Sequence, residues 1–254
     1  MAKTITLKVS GSEFTAPAGV TILEVAQSND IFIPTLCHFK GLSNVGACRL
    51  CMVEVRGVPR LLPACATLVA EGMEVTVDSP KLARYRQMVI ELLLAERNHV
   101  CAVCVSNGYC ELQSLAQKLG VHHTRYAYRY PAFKVDASHP RFNYDANRCI
   151  LCTRCMRACD EIEGARTWNV MNRGIRSVMV TDLNQPWGQS LSCTSCNKCV
   201  HVCPTGALSD KGCAVGEMKP REIIAIDGVF NDSDMLKSNL DLQCRDAGIR
   251  FTCL

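Results

Sequence analysis

Two cysteine clusters with the same spacing constrain this chain more than any other feature. Residues 149–159 read CILCTRCMRAC and residues 193–203 read CTSCNKCVHVC, and each stretch holds four cysteines at offsets of 0, 3, 6 and 10. Thiols three residues apart are too close to link distant parts of a fold by disulfides, but they can surround one inorganic centre. These stretches, the first frame and the second frame, therefore predict a pair of metal-cluster sites.

The spacing within each frame is that of a ferredoxin with two [4Fe–4S] clusters, in which the fourth cysteine ligates the neighbouring cluster. The predicted first set is Cys149, Cys152, Cys155 and Cys203, and the predicted second set is Cys193, Cys196, Cys199 and Cys159. The bacterial pattern continues with a proline, and Pro204 follows the second frame, whereas Asp160 follows the first. Zinc is the alternative, although zinc sites usually use cysteine pairs separated by a longer loop.

Two further groups of candidate ligands lie upstream of the frames. A C-x10-C-x2-C-x13-C pattern favours a [2Fe–2S] cluster, with zinc as the alternative. Its ligands, the predicted N-terminal set, are Cys37, Cys48, Cys51 and Cys65. Gly41 and Gly46 lie in the long first loop, where tight backbone turns are needed.

The stretch ERNHVCAVCVSNGYC holds three cysteines, one fewer than a [4Fe–4S] cluster requires. Neutral imidazole is a competent iron ligand, and a histidine stands two residues before the first of these cysteines. The predicted histidine set is therefore His99, Cys101, Cys104 and Cys110. The other histidines have no comparable setting; they are His38, His122, His123, His139 and His201.

Composition argues against several other classes of protein. The chain has 254 residues and 18 cysteines, but the N-terminal MAKTITLKVSGSEF lacks the apolar core of a secretory signal, which opposes a disulfide-rich secreted protein. The net charge of +4 gives no reason to expect nucleic acid, and no apolar run is long enough to span a membrane. We expect a cytoplasmic protein without a transmembrane segment, with peripheral membrane association left open. Cys213, Cys244 and Cys253 are interpreted as free thiols.

Periodicity predicts an α+β chain of several small parts. Alternation over Ile5, Leu7 and Val9 predicts a strand, Thr21 and Glu24 form a capping box before a short helix, and residues 81–98 and 111–120 have helical spacing. TWNVMNRG and SVMVTDL predict a β-hairpin between the frames. The predicted divisions are a β-rich [2Fe–2S] domain (1–80), a helical segment with the histidine set (81–120), a linker (121–140), a two-cluster domain (141–212) and a C-terminal extension (213–254).

The predicted linker carries an aromatic and basic strip. Tyr126, Tyr128 and Tyr130 alternate with other residues and are interleaved with Arg125 and Arg129. Such a strip could stack nucleobases. The weak net charge instead favours an extended segment packed between domains.

These residues, in this order, resemble a family of redox proteins. Its members carry a β-grasp [2Fe–2S] ferredoxin domain, a [4Fe–4S] segment with one histidine and three cysteine ligands, and a two-cluster ferredoxin-like domain. The series recurs in the N-terminal part of the large iron–sulfur subunit of respiratory complex I and of iron-only hydrogenases. Over roughly residues 1–218, and above all in AERNHVCAVCVSNGYCELQ, the chain resembles the diaphorase iron–sulfur subunit of the bidirectional NAD(P)-linked nickel–iron hydrogenase. In complex I and iron-only hydrogenases three residues separate the histidine from the first cysteine, whereas only Val100 does so here.

The resemblance implies an electron-relay subunit with one [2Fe–2S] and three [4Fe–4S] clusters. It implies a hetero-oligomer in which a diaphorase subunit carries FMN and reacts with NAD(P)H, and a hydrogenase small subunit leads to the nickel–iron site. The chain has no G-x-G-x-x-G or P-loop pattern, so no substrate-converting centre is expected on it. The alternatives are the equivalent subunit of an NAD-dependent formate dehydrogenase or another complex I-like oxidoreductase, and a structural zinc protein.

Overall fold

A computed structural model describes residues 4–218, which form two compact units. The first unit contains the residues up to His38 and Asn44–Val89, and the second contains Phe39–Ser43 and the residues from Ile90 onward. Most of the predicted C-terminal extension, with Cys244 and Cys253, lies outside the described residues. Cys213 is described and has a half-buried free thiol.

The first unit is built on a five-stranded sheet. Its strands are β1 (Thr4–Val9), β2 (Ser12–Pro17), β3 (Met52–Val55), β4 (Leu62–Pro63) and β5 (Glu74–Thr76). The order is β2-β1-β5-β3-β4, with β1 parallel to β5 and the other pairs antiparallel. The predicted alternation in β1 is confirmed, because Ile5, Leu7 and Val9 are buried beneath this sheet.

Helix α1 (Ile22–Ser28) covers the core of the first unit. The predicted capping box is present: the Glu24 amide donates to Thr21 Oγ1 at 3.2 Å, and the Thr21 amide donates to Glu24 Oε2 at 2.6 Å. The helix buries Ile22 and Leu23 completely. The cap therefore fixes where the helix begins, and its apolar face holds it on the sheet.

Helix α2 (Pro80–Glu96) is the predicted long helix. Within the first unit, the buried Arg86 of this helix donates to the carbonyl oxygens of Val77 at 2.9 Å, Met52 at 3.2 Å and Leu50 at 3.4 Å. Leu50 and Met52 flank Cys51, so one side chain fixes the backbone on both sides of a predicted ligand.

The second unit is made of short elements joined by long loops. In chain order they are α3 (Glu111–Lys118), β6 (Val135–Asp136), β7 (Phe142–Asp145), α4 (Arg154–Arg157), β8 (Trp168–Met171), β9 (Val178–Thr181), α5 (Lys198–His201) and β10 (Leu208–Asp210). Strands β10, β7 and β6 form one sheet in that order. Strands β8 and β9 pair antiparallel, which confirms the predicted hairpin between the frames.

The predicted linker departs from its prediction in one respect. Its tyrosines are exposed rather than packed between domains, and Tyr130 keeps 73% of its accessible surface. Alternation of aromatic and basic residues shows which side chains share a face, but not whether anything covers that face. Among residues 4–218, no helix combines the length and apolar character required to cross a bilayer.

Candidate metal centres

The first unit brings the four thiols of the N-terminal set together. The sulfur atoms of Cys51 and Cys65 are 3.4 Å apart, and the Leu36 amide donates to Cys48 Sγ at 3.4 Å. Hydrogen bonds from the Cys48 and Cys65 thiols lower the pKa of Cys37, while the bond to Cys37 and burial raise the pKa of Cys48. The four sulfur atoms thus form one interacting group, as a [2Fe–2S] ligand set requires.

The loop that leads to this group turns through backbone conformations that favour glycine. Gly41 has φ +88° and Gly46 has φ +60°, as the prediction of tight turns requires. Arg49, which stands between the second and third cysteines of the set, also has a positive φ, at 58°. These positive φ values allow tight turns in the chain between Cys37 and Cys51.

All four members of the histidine set line one small cavity in the second unit, of about 30 Å³. Burial and the nearby charge of Arg97 lower the pKa of His99 to about 4, so its imidazole is neutral. The ring is hydrogen-bonded to the backbone of Leu93, and His99 Nε2 is buried without a partner among the described residues. A neutral ring nitrogen that has no hydrogen-bond partner can donate its lone pair to a metal ion, and this one lies beside three thiols.

Position 206, beside the histidine set, has no room for any residue larger than glycine. A Cβ atom at Gly206 would lie 2.5 Å from Cys104 Sγ, so glycine is required for this approach. Burial raises the pKa of Cys110 to about 12, so this thiol stays protonated at neutral pH unless a metal displaces the proton. The donor types, their convergence and the unpartnered nitrogen all fit an iron–sulfur cluster.

The two frames also lie together in the second unit, with their fourth cysteines exchanged. All four members of the second set line one cavity of about 10 Å³, together with Trp168 and Trp187. In the first set, burial and the charge of Cys203 raise the pKa values of Cys149, Cys152 and Cys155, so these four thiols are neighbours. The structure therefore brings together each of the two sets that the spacing predicts.

The backbones of the two frames follow the same path. Leu151 and Ser195, at the same offset, have φ 53° and 58°, and Thr153 and Asn197 have φ 61° and 71°. A short helix follows each pair, α4 in the first frame and α5 in the second. Repeated left-handed residues turn backbone amides toward the enclosed space, as a cluster-binding loop requires.

Several hydrogen bonds end on the cysteine sulfurs of the frames. The Leu151 amide donates to Cys149 Sγ at 3.4 Å, and the Thr167 amide donates to Cys159 Sγ at 3.3 Å. The indole N–H of Trp187 donates to Cys193 Sγ at 3.3 Å. Such bonds stabilise negative charge on sulfur and raise the reduction potential of a bound cluster.

Two ion pairs that each involve one residue of a frame were not predicted from the sequence. Arg154, which is 3% exposed, donates from Nη1 and Nη2 to the two carboxylate oxygens of Glu111, at 2.6 and 2.9 Å. Glu111 follows Cys110 directly, so this bidentate pair joins the histidine set to the first set. At the equivalent position of the second frame, Lys198 pairs with Glu163. The only sequence signal was a basic residue before the third cysteine of each frame.

His139, which was not expected to be a ligand, lies against the second set. It is 3% exposed, and its Nε2 is 3.1 Å from Ser195 Oγ and 3.9 Å from Cys193 Sγ. Its Nδ1 accepts from the amides of Arg141 and Phe142, which leaves the proton on Nε2. His139 is therefore a neutral donor beside the second set, and nothing in its sequence setting indicated this.

Among residues 4–218, no three His, Cys, Asp or Glu side chains are close enough together to hold a single metal ion.

Comparison with known families gives three consecutive matches. Residues 2–80 match the family described as 2Fe-2S iron-sulfur cluster binding domain. Residues 86–125 match the iron-sulfur binding region of NADH-ubiquinone oxidoreductase-G, and residues 139–209 match the ferredoxin-like domain of NADH-quinone oxidoreductase subunit 3. These matches confirm the predicted fold class: a [2Fe–2S] domain, a [4Fe–4S] segment and a ferredoxin-like domain, in that order.

Individual relatives are similar over most of this chain. The gamma subunit of the NAD-reducing hydrogenase HoxS of Cupriavidus necator is 31% identical over 82% of this chain and 87% of its own length. A crystal structure of NAD+-reducing [NiFe]-hydrogenase in the H2-reduced state contains a chain that is 34% identical, with a TM-score of 0.78, over 83% of this chain and 88% of that one.

Other relatives are much longer proteins. The alpha subunit of the NADPH-Fe(3+) oxidoreductase of Geobacter sulfurreducens is 39% identical over 82% of this chain, which spans only 24% of the relative. The chain therefore spans about a quarter of the length of such relatives, which include a subunit of a NADH-quinone oxidoreductase of Rhizobium meliloti and putative formate dehydrogenases.

Proposed function

Since this chain belongs to the family of iron–sulfur subunits of NAD(P)-reducing hydrogenases, we propose that it relays electrons within such a complex in the cytoplasm. Its partners are a flavin-containing subunit that reacts with NAD(P)H and the small subunit of a nickel–iron hydrogenase. FMN, NAD(P) and the nickel–iron site belong to those partners. The chain itself converts no substrate.

The proposed cofactors are one [2Fe–2S] cluster and three [4Fe–4S] clusters. We also propose the domain limits that the sequence predicts. The N-terminal set holds the [2Fe–2S] cluster. The histidine set, the first set and the second set each hold one [4Fe–4S] cluster.

Iron–sulfur clusters, when bound, accept and donate single electrons. The chain's own residues determine how readily they do so. Three thiols of the first set, Cys149, Cys152 and Cys155, are buried and limit the access of water. The amide and indole N–H groups that donate to cysteine sulfurs of both frames stabilise negative charge. The ion pair of Arg154 and Glu111 fixes the histidine set and the first set relative to each other.

One observation carries this proposal. Two cavities of the second unit are each lined by all four members of a ligand set that the cysteine spacing predicts. One set includes a histidine, and the other takes its fourth cysteine from the opposite frame. Closeness in the sequence alone therefore does not explain why the four members of each set meet.

Anaerobic purification of the native complex through a tag on this chain tests the proposal. We expect iron, acid-labile sulfide, FMN and nickel in the preparation, and hydrogen-dependent reduction of NAD or NADP. Cys213→Ala is the matched control, because this thiol lies outside the predicted sets and its removal should leave every cluster in place. Molybdenum or tungsten in place of nickel would favour the formate dehydrogenase alternative, and zinc without sulfide would favour a structural role.

The role of His99 is tested by His99→Cys. Thiolate in place of neutral imidazole adds negative charge next to one cluster, so we expect that cluster to be retained with a lower reduction potential. Redox titration followed by electron paramagnetic resonance (EPR) measures this. Unchanged potentials for all clusters in a fully loaded variant would exclude His99 as a ligand.

A further inference from the structure

Two buried side chains near the first set carry hydrogen-bond donors for which the described residues offer no nitrogen or oxygen acceptor. Arg97 is 2% exposed, yet its Nε and Nη1 have no partner among residues 4–218. The hydroxyl of Tyr144, a residue of β7 that is 7% exposed, also has no nitrogen or oxygen partner there. Buried donors without acceptors are rare in folded proteins, because each costs the free energy of its lost hydration.

Both side chains are held in place by other contacts. Arg97 Nη2 donates to the Ser177 carbonyl at 2.6 Å, and its guanidinium lies 4.5 Å from the centre of the Phe133 ring. Tyr144 packs edge-on against Trp168, with ring centroids 5.2 Å apart. The remaining donors are therefore not free to turn toward solvent.

Both groups lie close to the first set. Tyr144 packs in the same buried apolar cluster as Cys149 and Cys155, and Phe133, whose ring lies under the Arg97 guanidinium, packs against that cluster. Arg97 Nη2 lies 3.7 Å from the Glu96 carboxylate, and that side chain is one-third exposed. Solvent screens this ion pair, so it compensates the buried charge only in part.

We propose that Arg97 and Tyr144 donate hydrogen bonds to the sulfur atoms of the first-set cluster, and that these bonds and the Arg97 charge raise its reduction potential. This inference rests on the proposed function, because it needs a cluster at the first set. Sulfur atoms of a bound cluster would supply the acceptors that the protein alone does not. Positive charge in a buried site stabilises the extra electron of the reduced state.

Three variants of the native complex test the proposal. Tyr144→Phe removes one hydroxyl and keeps the ring. Arg97→Lys keeps the charge but removes the guanidinium donors, and Arg97→Met removes both. Tyr128→Phe is the matched control, because its hydroxyl belongs to a side chain that is 48% exposed. EPR-monitored redox titration measures every cluster, and Cys152→Ser identifies which signal belongs to the first set.

We expect one signal, that of the first set, to shift to a more negative potential, most in Arg97→Met and less in Arg97→Lys and Tyr144→Phe. The Fe–S stretching bands in resonance Raman spectra should shift in the same variants, and Tyr128→Phe should match the wild type. If Arg97→Met does not fold, Tyr144→Phe and Arg97→Lys decide the question.

The negative outcomes are distinguishable. Full iron and sulfide content with wild-type potentials in Tyr144→Phe and Arg97→Lys would overturn this inference and leave the proposed function intact. That result would mean that the donors bind ordered water instead. A complex whose wild-type chain lacks acid-labile sulfide would overturn both.

Discussion

The two cysteine frames have the same spacing and the same backbone turns, but different surroundings. The first three cysteines of the first frame are all buried, and Arg97 and Arg154 act on its set with positive charge. In the second frame Cys196 is exposed, and the side chains that reach the Cys193 sulfur, Trp187 and His139, are neutral. Local sequence thus specifies the ligand loop, while residues distant in the chain specify its electrostatic environment.

This contrast has a consequence for the relay. Potentials of iron–sulfur clusters depend on ligand type, nearby charge, hydrogen bonds to sulfur and solvent exposure. Two sites that share one loop geometry can therefore differ in potential without any change of ligand. We expect the first set and the second set to titrate separately.

The largest expected effect comes from replacing the fourth cysteine of each frame, because each of these cysteines is predicted to bind the cluster of the other frame. Cys203→Ser should disturb the first-set cluster, and Cys159→Ser should disturb the second-set cluster, although each residue belongs to the opposite frame. EPR spectra of the two variants would show which signal is altered or lost. If each variant alters the cluster of its own frame instead, the crossed assignment is wrong.

The ion pair of the first frame should be the most important polar contact for stability. Arg154→Leu leaves Glu111 without its bidentate partner, so we expect a loss of about 3 kcal/mol in the free energy of unfolding. Anaerobic urea unfolding measures it. A loss no greater than that of Lys198→Leu would show that the two frames are supported equally.

An indole donor distinguishes the second frame. Trp187→Phe removes the N–H group that donates to Cys193 Sγ, and we expect the second-set cluster to become harder to reduce by about 1 kcal/mol. The other clusters are the internal control in the same redox titration. A uniform change in all of them would point to general loosening of the unit rather than to this bond.

The smallest expected effect is at Lys198, the counterpart of Arg154. Its pair with Glu163 has single-point geometry, whereas Arg154 makes a bidentate pair, so Lys198→Leu should cost about 0.5 kcal/mol in the free energy of unfolding. The same urea experiment checks this value. A cost equal to that of Arg154→Leu would remove the contrast between the frames.

Much of the fold and the grouping of the site residues followed from sequence periodicity and cysteine spacing. The hairpin of β8 and β9, helix α2 and the Thr21 cap depend on local patterns, which the sequence displays directly. Cluster-binding loops are equally local, because their ligands lie three residues apart.

The environment of the sites could not be predicted in the same way. Arg154 and Glu111 are 43 residues apart in the chain, and their meeting depends on how α3 packs near the frames. The unpartnered donors of Arg97 and Tyr144 become visible only when burial is known. The packing of Tyr126, Tyr128 and Tyr130 between domains was wrongly predicted, because the sequence of the strip does not show whether other residues cover it.

We propose that the chain is a conductor built from four clusters. Iron and acid-labile sulfide analysis of the anaerobically purified chain within its complex, combined with EPR quantification, tests it most directly. We expect one [2Fe–2S] and three [4Fe–4S] clusters per chain, in keeping with the four ligand sets. Zinc without labile sulfide, or a substrate-converting centre on this chain, would contradict it.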